Sequence, residues 1–281
     1  MKTALQKVRR GLNTKLGFFL LTVLLFAIKS YWAYKTKFNL GISDSMQQFL
    51  LAFNTLPGAL VFLGIALYFR GRLSYWLMIL INFLLSTWLF ANILYYREFS
   101  DFITFNIIKG SGAASNNLGK SLMGIIKPTD FLVYADVIIL IVLLAAHFIR
   151  IDMRYFKVRY AMTITMIGFV LFGANLAMAE KDRPQLLTRT FDNNYIVKYL
   201  GLQAYTIYDG VKTTHNSAVK AKANSNDIKP VLKFLKKNYA SPNIEYYGQA
   251  KGKNIIIIHL ESFQQFMIDY KWKGEEVTPN L

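Results

Sequence analysis

Apolar residues are concentrated in the first two thirds of the chain, where they form five long runs. The runs cover residues 16–34, 49–69, 73–96, 131–149 and 160–179. Each has roughly the 20 mostly apolar residues that a helix needs to cross the hydrocarbon core of a bilayer. The pattern therefore predicts a five-helix transmembrane domain over residues 16–179, preceded by a polar N-terminal segment, residues 1–15.

The segments between the runs refine this picture. The second and third runs are separated by Arg70, Gly71 and Arg72 alone, which predicts a tight helical hairpin. Pro57 predicts a kink in the second run, which neighbouring helices can tolerate. The first run follows basic residues, as in a signal peptide, but no small-residue cleavage site precedes Lys35. We therefore expect an uncleaved signal anchor.

The distribution of basic residues predicts the orientation. If the N-terminus is inside, the inner segments carry 11 basic residues: Lys2, Lys7, Arg9, Arg10, Lys15, Arg70, Arg72, Arg150, Arg154, Lys157 and Arg159. The outer loops then carry six: Lys35, Lys37, Arg97, Lys109, Lys120 and Lys127. The positive-inside rule favours a cytoplasmic N-terminus, and five crossings then place the residues after Ala179 outside the cell.

Composition narrows the class of protein. The chain is 54% hydrophobic and carries a net charge of +17. No nucleic-acid-binding motif accompanies the charge, so we expect no nucleic-acid partner; lysine and arginine beside apolar spans instead face anionic headgroups. Cysteine is absent, which excludes disulfides and thiolate metal sites.

Several polar residues lie inside the predicted spans. Asp136 is close to the outer end of the fourth run, and its shallow depth favours a position at headgroup level or a pair with a neighbouring helix over a functional role. Lys29 and His147 lie near span ends and are expected to snorkel. Asparagines within spans more often join helices than bind substrate. They are Asn54, Asn82 and Asn92.

The loop over residues 97–130 is too long for a simple hairpin connection. A short interfacial helix is expected over residues 116–126, ended by Pro128. The apolar residues that suit the membrane interface are Phe99, Phe102, Phe105, Ile107 and Ile108.

The residues after the last span form the predicted segment 180–250, made of interfacial helices and a linker. Residues 191–209 are consistent with an interfacial helix pair broken at Gly201, or with an ordinary packed helix of an outer domain. Residues 213–227 are small and polar and predict a linker. It contains Ala221, Lys222 and Ala223, an A-x-A pattern that signal peptidase cuts, and predicts cleavage after Ala223.

A change of pattern follows the linker. Residues 227–238 predict a short amphipathic helix with Asp227 as its cap. Residues 253–260 contain four consecutive isoleucines, which are typical of a buried parallel strand. Glu261 follows directly, at the sheet edge where ligands bind in open α/β folds. A carboxylate there suits a hard divalent cation, although a helix-capping or solvated acid explains the same residue.

Several stretches together resemble the lipoteichoic acid synthases of Gram-positive bacteria. The resemblance combines five spans of inside-first topology with short motifs and covers essentially the whole chain. The motifs are YYREFSDFI at 95–103, KYLGL at 198–202, YTIY at 205–208, NIIIIHLES at 254–262 and VTPN at 277–280.

The resemblance implies a mainly α fold in the cell membrane, followed over residues 251–281 by the start of an α/β sulfatase-like (alkaline-phosphatase-like) domain. It implies transfer of glycerol phosphate from phosphatidylglycerol to a glycolipid-anchored chain, with diacylglycerol as the other product. A threonine nucleophile works beside Mn²⁺ in this family, and Glu261 matches the first metal ligand.

The chain departs from the family in one respect. The nucleophile and the later metal ligands would fall after Leu281, so no catalytic residue is assigned. We expect a piece of a longer enzyme, inactive alone and without tight Mn²⁺ binding. The alternatives are a lipoteichoic acid primase paralogue and a non-enzymatic lipid- or partner-binding membrane protein. A transporter is disfavoured because no repeated half-helix pattern is present.

Overall fold

The computed structural model of the chain is mostly helical. It describes residues 10–110, 124–188, 192–222, 225–241, 243–254, 256–261 and 263–279. The chain divides into two compact units, Met1–Ala221 and Lys222–Leu281.

The first unit is built from α-helices. They are α1 (Lys15–Thr36), α2 (Ser45–Phe53), α3 (Thr55–Gly64), α4 (Gly71–Phe99), α5 (Phe105–Gly110), α6 (Ala135–Ala145), α7 (Val158–Asp182) and α8 (Asn193–Lys222). Two 3₁₀ helices, Ile65–Tyr68 and Pro128–Tyr134, follow α3 and precede α6.

Five helical segments are long and apolar enough to cross a membrane. They are Lys15–Thr36, Ser45–Tyr68, Gly71–Phe99, Pro128–Ala145 and Val158–Asp182. These segments correspond one to one with the five predicted runs, so the transmembrane prediction is confirmed. On α1, for example, Phe19 and Phe26 are buried in the bundle whereas Leu20 and Leu24 point away from it, as expected where one helix face meets lipid.

The second span is broken at Asn54, between α2 and α3. Pro57 lies in the first turn of α3, where a missing backbone N–H leaves no intrahelical bond unmade. The interruption lies three residues before the proline, and the helix continues through Pro57 itself. The tight hairpin is confirmed: Gly71 has a φ of +55°, which favours glycine, and the Ser74 hydroxyl donates to the Ala66 carbonyl across the turn at 2.7 Å.

The bundle has two ends, and because it has five spans the chain enters it at one end and leaves it at the other. We call the end that carries residues 10–14, 69–70 and 146–157 the entry side. The other end, with residues 37–44, 100–110, 124–127 and 183–221, is the exit side. Helix α8 belongs to the exit side, where its residues contact the ends of several spans.

Helix α8 is interrupted at Gly201, which has a φ of +83° and a ψ of 165°. The predicted break at this glycine is confirmed. The surrounding residues 196–205 are buried, so this part of α8 packs into the bundle and does not lie on the membrane surface. A Cβ at position 201 would meet the Asn54 carbonyl oxygen at 3.1 Å, which explains why glycine stands there.

Three further predictions for this unit have different outcomes. The linker prediction is wrong for residues 213–222, which continue α8 because alanine, lysine and valine tolerate a helix. Phe102 is fully buried and not interfacial, since its ring packs against Tyr96 and Tyr205. The helix predicted over 116–126 lies mostly outside the described residues.

The second unit contains α9 (Ser225–Lys237) and a two-stranded antiparallel sheet of β1 (Lys271–Trp272) and β2 (Glu275–Glu276). The predicted helix near 227–238 is confirmed, beginning two residues earlier. The predicted buried strand is not: residues 256–260 have no strand partner, and Ile256 is 86% exposed. A parallel strand needs neighbouring strands to satisfy its backbone, and the described residues of this unit supply none beside it.

Candidate functional site

A buried polar network joins three spans near the middle of the bundle. The Lys29 ammonium lies 2.7 and 2.8 Å from the two carboxylate oxygens of Asp136. It also donates to Ser86 and Asn82 on α4, and the Asn82 amide donates to Asp136 at 2.9 Å. Each charge therefore has an opposite charge and polar neighbours, as a buried ion pair requires.

This network corrects one prediction and confirms two others. Lys29 does not snorkel, because its side chain is buried and paired inside the bundle. Asp136 pairs with a neighbouring helix, as expected, and Asn82 joins helices. His147 is exposed at the entry side, in a turn where its φ is +53°. Its members bond one another across three helices, so the network holds α1, α4 and α6 together.

A second ion cluster fixes the exit-side loop. The fully buried carboxylate of Asp130 accepts two hydrogen bonds from the Arg97 guanidinium, both 2.8 Å, and one from Lys37 at 2.8 Å. It also accepts the backbone N–H of Lys127. The ends of α1 and α4 are thereby tied to the start of the fourth span.

Two span asparagines hold the interrupted part of α8. The Asn54 amide donates to the carbonyls of Val197 and Lys198, at 3.5 and 3.1 Å, and the Asn175 amide donates to that of Tyr199 at 3.2 Å. These carbonyls end a helical segment and have lost their intrahelical donors. The predicted helix-joining role of Asn54 is confirmed.

The first half of α8 carries a buried lysine. The Lys198 ammonium donates to the Gly41 carbonyl at 3.0 Å and to the Gln47 side chain at 3.2 Å, and it lies over the rings of Tyr195 and Tyr199. Burial, followed by the nearby positive charge of Arg183, lowers the pKa of Lys198. These contacts anchor α8 to the segment between the first two spans.

The second half of α8 borders an apolar groove that we call the exit groove. It consists of two adjoining cavities that share Phe105, Thr206 and Ile207. The outer cavity, about 640 Å³, is also lined by Gly210, Val211, Thr214 and His215. The inner cavity, about 320 Å³, is also lined by Phe62, Leu85, Trp88, Ile108 and Gln203. The groove thus extends from α8 into the spans.

The walls of the exit groove are fixed by hydrogen bonds. The Trp88 indole donates to the Thr206 hydroxyl at 2.9 Å, and that hydroxyl donates to the Leu202 carbonyl at 2.8 Å. The Asp209 carboxylate accepts the backbone N–H of Phe105 at 2.6 Å. Because these polar atoms bond one another, the groove presents mainly hydrocarbon surface.

Gln203 is the exception in the groove. Its side chain is 7% exposed, and its Oε1 atom has no hydrogen-bond partner among the described residues. A buried acceptor without a donor is unfavourable by about 1–3 kcal/mol. The Oε1 atom is itself buried, so the inner cavity presents hydrocarbon surface only. Among the described residues, no lysine or arginine lines either cavity.

The structure does not bring the predicted metal ligand together with other ligands. Glu261 lies in an exposed turn. Within the described ranges, no group of three or more histidine, cysteine, aspartate or glutamate side chains is placed to hold a metal ion. Ala223, the predicted cleavage position, lies outside the described residues and stays a prediction.

Sequence reasoning missed the residues of the exit groove. Gln203 and Thr206 stand in a short polar-aromatic stretch whose partners, Trp88 and Phe62, are more than a hundred residues away in the chain. The sequence carried one signal for these groove residues: Gln203 and Thr206 closely follow Gly201, where helix α8 resumes.

The bundle, its buried polar network and the exit groove define a multi-pass membrane protein with an apolar cavity at one end of its spans. Residues 1–222 match the sequence model of the lipoteichoic acid synthase N-terminal domain. The chain belongs to this family.

The relatives agree with this assignment. The chain is 52% identical to Lipoteichoic acid synthase 1 of Bacillus subtilis, covering 98% of this chain and 43% of the relative. It is 42% identical to the lipoteichoic acid synthases of Staphylococcus saprophyticus and Staphylococcus aureus, covering 98% and 94% of this chain and 42% and 41% of those proteins. The chain thus spans less than half of their length. No solved structure gives a significant match.

The buried ion pair generates a stability prediction. Lys29→Met leaves the Asp136 carboxylate buried without its cation, and we expect a loss of about 3 kcal/mol in the free energy of unfolding. Adding Asp136→Leu to Lys29→Met should restore most of this loss, because the unpaired charge is then removed. Thermal unfolding in lipid nanodiscs measures both effects.

The matched control is Lys35→Met, which removes an exposed lysine at the end of the same helix and should change stability by less than about 0.5 kcal/mol. Equal stability of Lys29→Met and the unaltered protein would contradict the assigned role of the pair.

Proposed function

We propose that the first unit is the membrane part of a lipoteichoic acid synthase, and that its exit groove holds the diacylglycerol portion of the donor lipid. The observation that carries this proposal is the exit groove itself, whose hydrocarbon walls continue from α8 into the spans. The names of the relatives support a synthase and favour it over a primase paralogue.

The chemistry of phosphatidylglycerol fits this groove in a specific way. Transfer of glycerol phosphate to an acceptor hydroxyl forms a new phosphorus–oxygen bond and breaks the one to diacylglycerol. The proton lost by the acceptor hydroxyl ends on the diacylglycerol oxygen, which becomes a hydroxyl. The phosphate needs cationic or metal partners, and the described residues that line the groove include no lysine or arginine, so the phosphate belongs outside the groove.

Selectivity in the groove must come from the shape of its walls. Moving an acyl chain from the bilayer into a protein groove yields little hydrophobic free energy, because both surroundings are apolar.

The groove is tested in an enzyme of the relatives' length that contains this chain. Ile207→Trp fills the space that both cavities share, and we expect turnover of phosphatidylglycerol to fall at least tenfold, about 1.4 kcal/mol. Glycerol phosphate polymer formed in proteoliposomes is the measurement.

The control is Ile167→Trp, which adds the same bulk on α7 at a residue that lines neither cavity and faces away from the bundle. It should leave turnover unchanged. Unaltered turnover by a folded Ile207→Trp enzyme would refute the groove as the lipid site.

We infer that the entry side faces the cytoplasm, because basic residues are more numerous there. The chain contains no cysteine, so single cysteines report accessibility directly. In intact cells, Ser217→Cys on α8 should react with a membrane-impermeant maleimide, and Lys157→Cys at the entry side should react only after lysis. The reverse pattern would invert the topology. Cleavage after Ala223 is the corresponding proposal for processing, tested by the N-terminus of the released fragment.

We propose that Glu261 supplies one ligand to Mn²⁺ in the longer enzyme. The residues described here do not complete such a site, since a single carboxylate does not hold manganese tightly. We therefore derive no catalytic step through the metal. In the extended enzyme, Glu261→Gln should abolish metal-dependent turnover, because the amide lacks the charge that a hard cation prefers.

The matched control for this change is Glu245→Gln, an exposed glutamate of the same unit, which should keep normal turnover. In the chain of 281 residues, Glu261→Gln should change neither the bound manganese nor the melting temperature. Normal turnover of the extended Glu261→Gln enzyme would disprove the assignment.

A further inference from the structure

A pocket at the entry side lies at the opposite end of the bundle from the exit groove. Its volume is about 660 Å³, and its lining combines two arginines and a histidine with apolar side chains. The two arginines are Arg72 and Arg150, and the histidine is His147; among the apolar residues are Trp76, Ile149 and Met153.

The position of Trp76 places this pocket at the membrane surface. Trp76 lies five residues into α4 from Gly71, which is about 7.5 Å along the helix axis. Tryptophan is enriched at this depth, where headgroups meet hydrocarbon. The pocket therefore opens where a lipid headgroup lies, with its apolar wall toward the acyl region.

The pocket walls are held in place by the loop between the fourth and fifth spans. The backbone N–H of Arg150 donates to Asn13 Oδ1 at 2.8 Å, and that of Asp152 donates to the buried Tyr75 hydroxyl at 3.0 Å. Ile149 is buried, and the Met153 methyl packs over Gly71 at the hairpin turn. The site is thus a shaped cavity and not only a patch of surface charge.

The charges of the pocket are not neutralised within the protein. The guanidinium groups of Arg72 and Arg150 have no hydrogen-bond or ion-pair partner among the described residues. The adjacent acid, Asp152, is already engaged by Arg154 through two contacts of 2.9 and 3.1 Å, which holds the pKa of Asp152 below its usual value. Two free cations thus face one cavity.

We infer that this entry-side pocket binds the headgroup of an anionic phospholipid, with Arg72 and Arg150 on its phosphate and the apolar wall against its glycerol and acyl carbons. Arginine suits phosphate because its planar fork donates two hydrogen bonds at once. Basic pockets between transmembrane helices are a recurring form of anionic lipid site. A soluble phosphate would leave the apolar wall without a partner, so the lipid is the better match.

The test uses the chain in detergent micelles with added dioleoylphosphatidylglycerol or dioleoylphosphatidylcholine, and counts bound lipids by native mass spectrometry. We expect the protein to prefer phosphatidylglycerol. The double variant Arg72→Gln/Arg150→Gln should bind phosphatidylglycerol about tenfold more weakly at this site, with phosphatidylcholine binding unchanged.

The matched control is Arg10→Gln/Lys157→Gln, which removes two positive charges from exposed positions on the same side but outside the pocket. Neither pair of substitutions touches the exit groove. A difference in phosphatidylglycerol binding between the two double variants therefore reports on the entry-side pocket alone, even if the proposed function is wrong. Equal phosphatidylglycerol binding by the two double variants would overturn the inference.

Ionic strength and soluble glycerol phosphate test the nature of the ligand, and thermal unfolding tests whether the arginine variants stay folded. Raising the ionic strength from about 0.05 to about 0.5 M, which shortens the Debye length about threefold, should reduce the phosphatidylglycerol preference of the unaltered protein. Millimolar glycerol phosphate should not displace the lipid; displacement would show a site for soluble phosphate and refute the lipid assignment. Thermal unfolding of the arginine pair in phosphatidylcholine nanodiscs should be unchanged, since both side chains are exposed.

Discussion

The hydrogen bonds from Asn54 to the carbonyls of Val197 and Lys198 support the whole exit side of the molecule. They join the break in the second span to the break in α8, where the Asn54 amide supplies a donor to carbonyls at the end of a helical segment. Away from water, a helix end must find donors within the protein. Gly201 permits this arrangement because its φ of +83° turns the chain at the point of contact.

The exit groove is a consequence of that junction. Because α8 is fixed at Asn54 and Asn175, its second half runs past Trp88 and Phe105 and encloses space between itself and the spans. The Trp88 indole donates a hydrogen bond to the Thr206 hydroxyl, so these two polar groups of the wall satisfy each other. The Gln203 Oε1 atom is buried and has no hydrogen-bond partner among the described residues. An apolar cavity suits a diacylglycerol better than a charged ligand.

Two groups of charged residues in the bundle differ in their partners. Lys29 with Asp136, and Asp130 with Arg97 and Lys37, are paired and buried, so they hold spans and loops together. Arg72 and Arg150 are unpaired and face a cavity at the membrane surface. Charged residues without a partner inside the protein are available to bind a charged ligand, whereas paired charged residues stabilise the fold.

The sequence by itself determined the five spans, the tight hairpin, the break at Gly201 and the family. Each of these depends on local information: run length, a glycine between basic residues, or a short motif. Lys29 and Phe102 show where local information stops, because a span-end lysine and a loop phenylalanine have the same appearance whether they face lipid or protein. Only the tertiary structure decided that both are buried, by placing Asp136 and Tyr205 beside them.

The same reason explains the binding sites and the second unit. Gln203, Trp88 and Phe62 form one cavity only because α8 returns into the bundle, and no spacing along the chain records that return. The four isoleucines before Glu261 predicted a buried strand from composition, yet a strand depends on partners for its hydrogen bonds. Sequence determines which residues can form an element, and tertiary contacts decide whether the element forms and what it faces.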